Sequence, residues 1–472
     1  MSLSATDLSA LVGRREISAL EVVNAALSAI SEQDGEIHAF VTVGTEEALA
    51  AARDIDARLA GGESVGPLVG VPVAIKDLLS TKGMRTTFGS RHYADHIPHE
   101  DDVAVERLRA AGAIVIGKTN TSEFGYGAVP HNALFATTRN PWDIALSPGG
   151  SSAGSAAAIA AGMVPLALGS DGGGSIRVPA AFTGIVGFKP SWGRIPVYPG
   201  CRDPDMPGAS GWESLEHVGP LARSVGDIRV AYDVMRGPDP RDRHSIPSEA
   251  PTTKPVRRVA FSPDLGFAAV DADVLSIARN AAEVLADALG ATLELASPPI
   301  GDVQPTFEAL VALDTDRRGL LVLRDATQIG FGPELTALLA RQWTADDFSE
   351  AIFARQRIVN ALARFLGVFD ILVTPATATA ATRIGDEPTT IGGRHVGSGA
   401  LTPFSAMANL AGLPAISIPA GLTADGRPVG LQLVGGHLAD EQVLSAAAAF
   451  EAARPFPRLL DKSAPARHSL TT

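Results

Sequence analysis

The residues best suited to chemistry in this chain of 472 residues lie between Pro148 and Pro190, in PGGSSAGSAAAIAAGMVPLALGSDGGGSIRVPAAFTGIVGFKP. Ser151 opens an alanine-rich run that reads as a buried helix, where small residues let backbones pack closely and serines sit at the N-cap. Ser175 follows Gly172, Gly173 and Gly174. Three consecutive glycines are entropically costly to order, so bare backbone must be needed there. N–H groups converging beside a serine at a helix start could hold an oxyanion. A glycine-rich turn with an N-capping serine is the other open reading. Upstream, Lys76 ends the apolar run Gly70–Ile75 just before Asp77. Drawn into the interior, a lysine is pushed toward its neutral form and can act as a base. Pairing with Asp77, or reaching back to water, is the plainer alternative.

The surrounding pattern alternates helices with short apolar strands. Leu20, Val23, Leu27 and Ile30 share a helical face behind a Ser18/Glu21 capping box. A helical pattern over 103–111 stops at Gly112 and is followed by the strand-like Ala113–Ile116. The same grammar recurs where Val274, Ala278, Ala281, Leu285 and Ala288 precede Gly290 and a strand over 291–295. Further strands are expected at 164–168, 256–261, 371–374, 415–419 and 429–434. Helices between apolar strands imply an α/β layered sheet. Residues 237–255, with five prolines, read as a connector, and 303–365 as a mainly helical cap or insertion within one domain spanning 1–472.

Composition narrows the function. A net charge of −13 argues against a nucleic-acid groove. The single cysteine, Cys201, rules out an internal disulfide and fits a reducing cytoplasm. The N-terminus lacks the basic and apolar blocks of a secretory signal, and no run approaches the ~20 apolar residues that span a bilayer. A soluble, cytoplasmic protein without membrane or nucleic-acid partners is expected.

Three motifs compete. Gly112 to Thr119 satisfies the P-loop pattern, but its intervening residues Ala-Ile-Val-Ile form a strand rather than a phosphate cradle. Gly150-x-Ser152-x-Gly154 matches a nucleophile elbow without the preceding apolar strand. His92, His96 and His99 have ligand-like spacing, yet Pro98 and the surrounding acids read as a solvated surface.

Taken together, the stretch GGSSAGS, the block DGGGSIRVPA with its serine 24 residues after Ser151, and GIVGFKP closely resemble the amidase signature family. GVPVAIKD at 70–77, AGAIVIGKTN at 111–120, TRNPWD at 138–143, NLAGLPAISIPAG at 409–421 and PVGLQLVG at 428–435 extend the resemblance over nearly the whole chain, most weakly from about 240 to 365. It implies the amidase signature fold, a central twisted mixed β-sheet covered by helices on both faces. It also implies Ser175 as nucleophile, Ser151 as bridge after a cis Gly150–Ser151 peptide, and Lys76 as base. Gly172, Gly173, Gly174 and Ser175 would form the oxyanion hole, and Ser152 and Ser155 would support the bridge. Asp171 and Arg177 are read as a structural pair. Neither metal nor organic cofactor is required, and the resemblance allows a homodimer.

Substrate choice is less marked. Tyr126, Tyr198, Cys201, Met206 and Trp212 could line a mostly apolar pocket. Within the family, a glutaminase subunit of a tRNA-dependent amidotransferase would want a carboxylate shortly before NLAG, and GSGALTPFSAMA at 397–408 has none. The expectation is therefore a stand-alone hydrolase of small apolar or aryl amides, with carbamates (urethanes) as a further substrate class. The glutaminase subunit is the alternative and a P-loop nucleotide binder the minor one.

Overall fold

The computed structural model describes residues 1–127, 131–199, 206–209, 212–247, 254–397, 399–457 and 459. Its centre is a mixed sheet of eleven strands among the described residues. These begin with β1 (Phe40–Val43), β2 (Pro72–Lys76), β3 (Ile114–Thr119), β4 (Leu166–Ser170), β5 (Val186–Lys189) and β6 (Val218–Ala222). Then come β7 (Arg258–Phe261), β8 (Thr292–Leu295) and β9 (Ile371–Pro375), a separate two-residue hairpin of β10 (Thr390–Ile391) and β11 (Arg394–His395), and finally β12 (Ala415–Leu422) and β13 (Pro428–Gly435). The spatial order is β1-β3-β2-β4-β6-β5-β12-β13-β9-β7-β8. The strands after residue 255 thus join the sheet begun by the first half.

β2 runs parallel to both β3 and β4. Parallel neighbours require crossovers, supplied by the helices Val103–Ala110 and Ala153–Ala160. Side chains alternate across the strands. Val73, Ile75, Leu166 and Leu168 enter the larger apolar core, while Ala74 and Ala167 face a second core on the opposite side. All eight residues of Ala153–Ala160 are buried. A Cβ on Gly154 would lie 2.3 Å from the Ala39 carbonyl and 2.4 Å from the Asn120 nitrogen, so the small residues are a packing requirement.

Element ends follow the expected signals. The Ser18/Glu21 capping box forms at the head of Ala19–Ile37, and Gly290 closes Ala272–Leu289 in the left-handed conformation. The buried face of the former helix is rotated from expectation. Ala19, Val22, Val23, Ala26 and Ile30 are inside, whereas Leu20 and Leu27 are only half-buried, because alanines fit closest to the sheet. Strands β1, β5 and β6 carry too little apolar alternation to be read from sequence. Helices Gln304–Asp314, Arg317–Thr327, Pro333–Ala340 and Ala345–Leu366 fill the region between β8 and β9. Among the described residues no helix is long and apolar enough to cross a membrane.

Candidate active site

Lys76 is the last residue of β2 and is fully buried. Its Nζ donates to Ser151 Oγ at 2.7 Å, to Ser170 Oγ at 3.0 Å and to the Ser170 carbonyl at 3.2 Å. The Asp77 carboxylate lies near Lys118, on neighbouring β3. The Gly150–Ser151 peptide is cis. Ser151 and Ser175 open onto the same small cavity, and the Ser175 carbonyl accepts the Ser152 N–H at 3.1 Å.

Lys118 clarifies what distinguishes Lys76. It too is fully buried, but its ammonium donates to the Leu79 carbonyl and to the hydroxyls of Thr81 and Thr86. Burial lowers its pKa to about 8, against the opposing pull of Asp77. It ties the segment after β2 to β3. The P-loop reading therefore fails: residues 114–119 are a buried strand rather than a loop open to a phosphate.

The three glycines are needed for three different reasons. A Cβ on Gly172 would strike the Trp212 ring at 2.1 Å, and one on Gly173 would strike the Phe307 ring at 2.4 Å. Gly174 has φ +128° and lies against Ser405. Asp171 shapes the loop from below, accepting the N–H groups of Gly174 at 2.7 Å and Ile176 at 3.1 Å. The Gly174 amide is thereby committed, leaving those of Gly172, Gly173 and Ser175 for an oxyanion.

Arg177 pairs with Asp171 through two hydrogen bonds of 2.9 and 2.8 Å. It also donates to the Ser405 carbonyl, Gln432 and Asn409. Burial works against the charged form of Asp171, but the Arg177 guanidinium outweighs it and holds the carboxyl well below the usual carboxylate range.

Ser152 and Ser155 do not reach Ser151. Their hydroxyls donate to the carbonyls of Ser170 and Leu168, and Ser155 also meets Thr119, fastening the alanine helix to β4 and β3. Ser152 occupies the N-cap without capping, because its hydroxyl is used elsewhere, and no apolar strand leads into it. The missing partner of the lysine is Ser170, whose place at the end of β4, immediately before Asp171, was its only signal.

A pocket of about 430 Å³ lies over Ser175, with Tyr126, Trp212, Phe307 and Val311 as its apolar wall. Tyr126 and Trp212 meet edge to face at 5.0 Å. Cys201 lies outside the described residues. Tyr198 is elsewhere, beneath the Arg241 guanidinium, and Met206 packs beside the Phe124 cluster. The lining of the pocket is mainly apolar, and Glu308, Glu334, Glu387 and Arg341 also line it. These charges come from the helices between β8 and β9 and from the loop after β9, away from the segment before NLAG. Glu123 was also missed. It accepts from Ser90 at 2.7 Å and from the Gly332 N–H at 2.6 Å, tethering the start of Pro333–Ala340 to the site. The ring of His92 packs on Phe331, and among the described residues no group of three His, Cys, Asp or Glu could hold a metal.

A family model described as Amidase matches residues 21–444. The chain belongs to the amidase signature family. It is 38% identical to the A subunit of the glutamyl-tRNA(Gln) amidotransferase of Salinispora tropica, over 95% of this chain and 97% of that one. A bacterial aryl acylamidase of the same family superimposes with a TM-score of 0.88 at 28% identity, covering 96% of each chain. The A subunit of the Thermotoga maritima glutamyl-tRNA(Gln) amidotransferase superimposes with a TM-score of 0.76 at 29% identity, covering 97% of each. This amidase family member acts on amide C–N bonds. The similarity to amidotransferase subunits overturns the expectation of a stand-alone apolar-amide or carbamate hydrolase without nucleic-acid partners. That expectation rested on one acid-free segment and on net charge. The pocket takes its acids from other elements, and global charge says little about an assembly's composite surface.

Proposed function

We propose that this chain is the glutamine-hydrolysing subunit of an amidotransferase acting on glutamyl-tRNA(Gln), working in the cytoplasm within a multi-subunit assembly. The observation that carries this reading is the near-full-length similarity to amidotransferase A subunits, 38% in the Salinispora protein. The charged pocket wall agrees with it. Glu334 and Glu387 suit an α-ammonium, and Arg341, beside Glu308 at 3.5 Å, presents a guanidinium for an α-carboxylate, groups that a simple apolar amide lacks.

In this reading Lys76, in its neutral form, takes a proton through Ser151 as Ser175 attacks the carboxamide carbon. The amides of Gly172, Gly173 and Ser175 receive the oxyanion, each worth about 3 kcal/mol in comparable sites. Ser170 holds the lysine on its line to Ser151. The relay then reverses: the nitrogen is protonated, ammonia leaves, and water cleaves the acyl-enzyme.

The test is ammonia release from L-glutamine by the purified chain, alone and with the assembly it copurifies with, together with amidation of glutamyl-tRNA by that assembly. Glutamine turnover coupled to tRNA amidation is the expected result. Failure of both in the intact assembly would sink the proposal.

A further inference from the structure

Two spaces meet at Ser175, and they differ greatly in size. The 430 Å³ pocket includes Gly150 and Ser175 in its wall but not Ser151. The second cavity, of about 20 Å³, is walled by Ser151, Ser170 and Ser175 on one side. Leu78, Phe124 and Ala209 supply its apolar side, and Glu216 is its carboxylate among the described residues. Such a volume holds roughly one water-sized molecule.

The placement of Ser151 decides how a substrate must lie. The departing nitrogen takes its proton from the Ser151 hydroxyl, so it must sit where that hydroxyl is exposed. That is the small cavity. The acyl portion then fills the large pocket. We infer that the small cavity is the leaving-group chamber, and that its size confines this enzyme to primary carboxamides, with ammonia as the nitrogen leaving group it admits. This rests on the proposed amide hydrolysis by Ser175 and sharpens it.

The chemistry balances within this space. As the tetrahedral intermediate collapses, the C–N bond breaks and the carbonyl re-forms. The nitrogen takes the Ser151 proton, and the Lys76 ammonium restores it. Ammonia and water are nearly equal in size, so the vacated chamber can admit the water that attacks the Ser175 ester. That water passes its proton through Ser151 to neutral Lys76, and as the ester bond breaks the Ser175 oxygen takes that proton back along the same relay and leaves as the hydroxyl. Two features keep the chamber narrow. Phe124 is held at φ +50°, and a Cβ on Gly208 would meet its ring at 2.8 Å.

The test varies the two ends of the substrate independently, using the full chain within the assembly it copurifies with and L-glutamine, γ-N-methyl-L-glutamine, butyramide and N-methylbutyramide. Each N-methyl compound should show kcat/KM at least about 100-fold below its parent, the upper range for one methyl group against a closed wall. Leu78→Ala, which shortens one wall, should narrow that ratio about tenfold. Comparable turnover of parent and N-methyl amides by the wild type would overturn the chamber. Butyramide cleaved selectively over its N-methyl form, with glutamine untouched, would support the chamber while removing the glutamine reading. No turnover anywhere in the series would overturn both.

Discussion

The helices Ala153–Ala160 and Pro333–Ala340 have eight residues each and both border the site, yet the first buries all eight and the second only Leu335. The alanine helix sits beneath the nucleophile loop, its Ser155 bonded to two strands. The other helix contributes Glu334, Ala337 and Leu338 to the pocket wall and is tied to the framework by the Glu123–Gly332 hydrogen bond. In the proposed function, bond-breaking chemistry is thus set in close-packed interior that tolerates little change. Substrate choice would then be set by a lightly anchored surface that can vary without disturbing it.

Substitutions in the two regions should separate chemistry from recognition. Ser175→Ala should reduce ammonia release by about 10⁴-fold or more while leaving the thermal unfolding profile near wild type. Retained turnover would move the nucleophile elsewhere. Asp171→Asn leaves the buried Arg177 guanidinium without its carboxylate and should cost about 3–5 kcal/mol in denaturant unfolding. A loss below about 1 kcal/mol would mean the interior adjusts as readily as the outer wall.

A third change concerns pH. Burial pushes the Asp102 carboxyl up to about 7, against the opposing effects of the Ser80 N–H bond and Lys118. The folded state therefore holds that proton more tightly than the unfolded chain. The resulting stabilisation is complete below the unfolded carboxylate range and is lost as pH rises through about 7. Between about pH 5 and pH 8 the wild type should lose about 1–3 kcal/mol that Asp102→Asn does not. Parallel profiles for the two proteins would refute the assignment. The smallest effect belongs to the outer pocket wall: Arg341→Ala should raise KM for glutamine about tenfold, the value of one charged hydrogen bond, with kcat and stability nearly unchanged. A fall in kcat instead would show that the outer wall takes part in chemistry.

The same contrast governs how much could be read from the sequence. Lys76, Ser151, Asp171, Ser175 and Arg177 stand in short contiguous motifs whose dense glycines and serines make poor sense without a site to build, and the structure gathers them. Ser170, Asn409 and Gln432 carry no local mark, because their roles arise when distant segments converge on Arg177 or Lys76. The helix over 272–289 was legible from its apolar stripe and terminal Gly290. The pocket charges were not, since Glu308 and Glu334 sit on helices, and Arg341 just after one, at positions indistinguishable from any solvated face. An acid sought only in the segment before NLAG therefore points to the wrong substrate class.

The reach of Arg177 along the chain has a consequence for synthesis. Its acceptors Ser405, Asn409 and Gln432 lie 228, 232 and 255 residues downstream. A growing polypeptide thus carries Lys76, Ser151 and Ser175 long before the guanidinium beneath the glycine loop can find its partners. Chains cut short before Gln432 would hold every reactive group yet lack an acceptor that braces Arg177 beneath the loop, so the support of the loop is completed only near the end of synthesis.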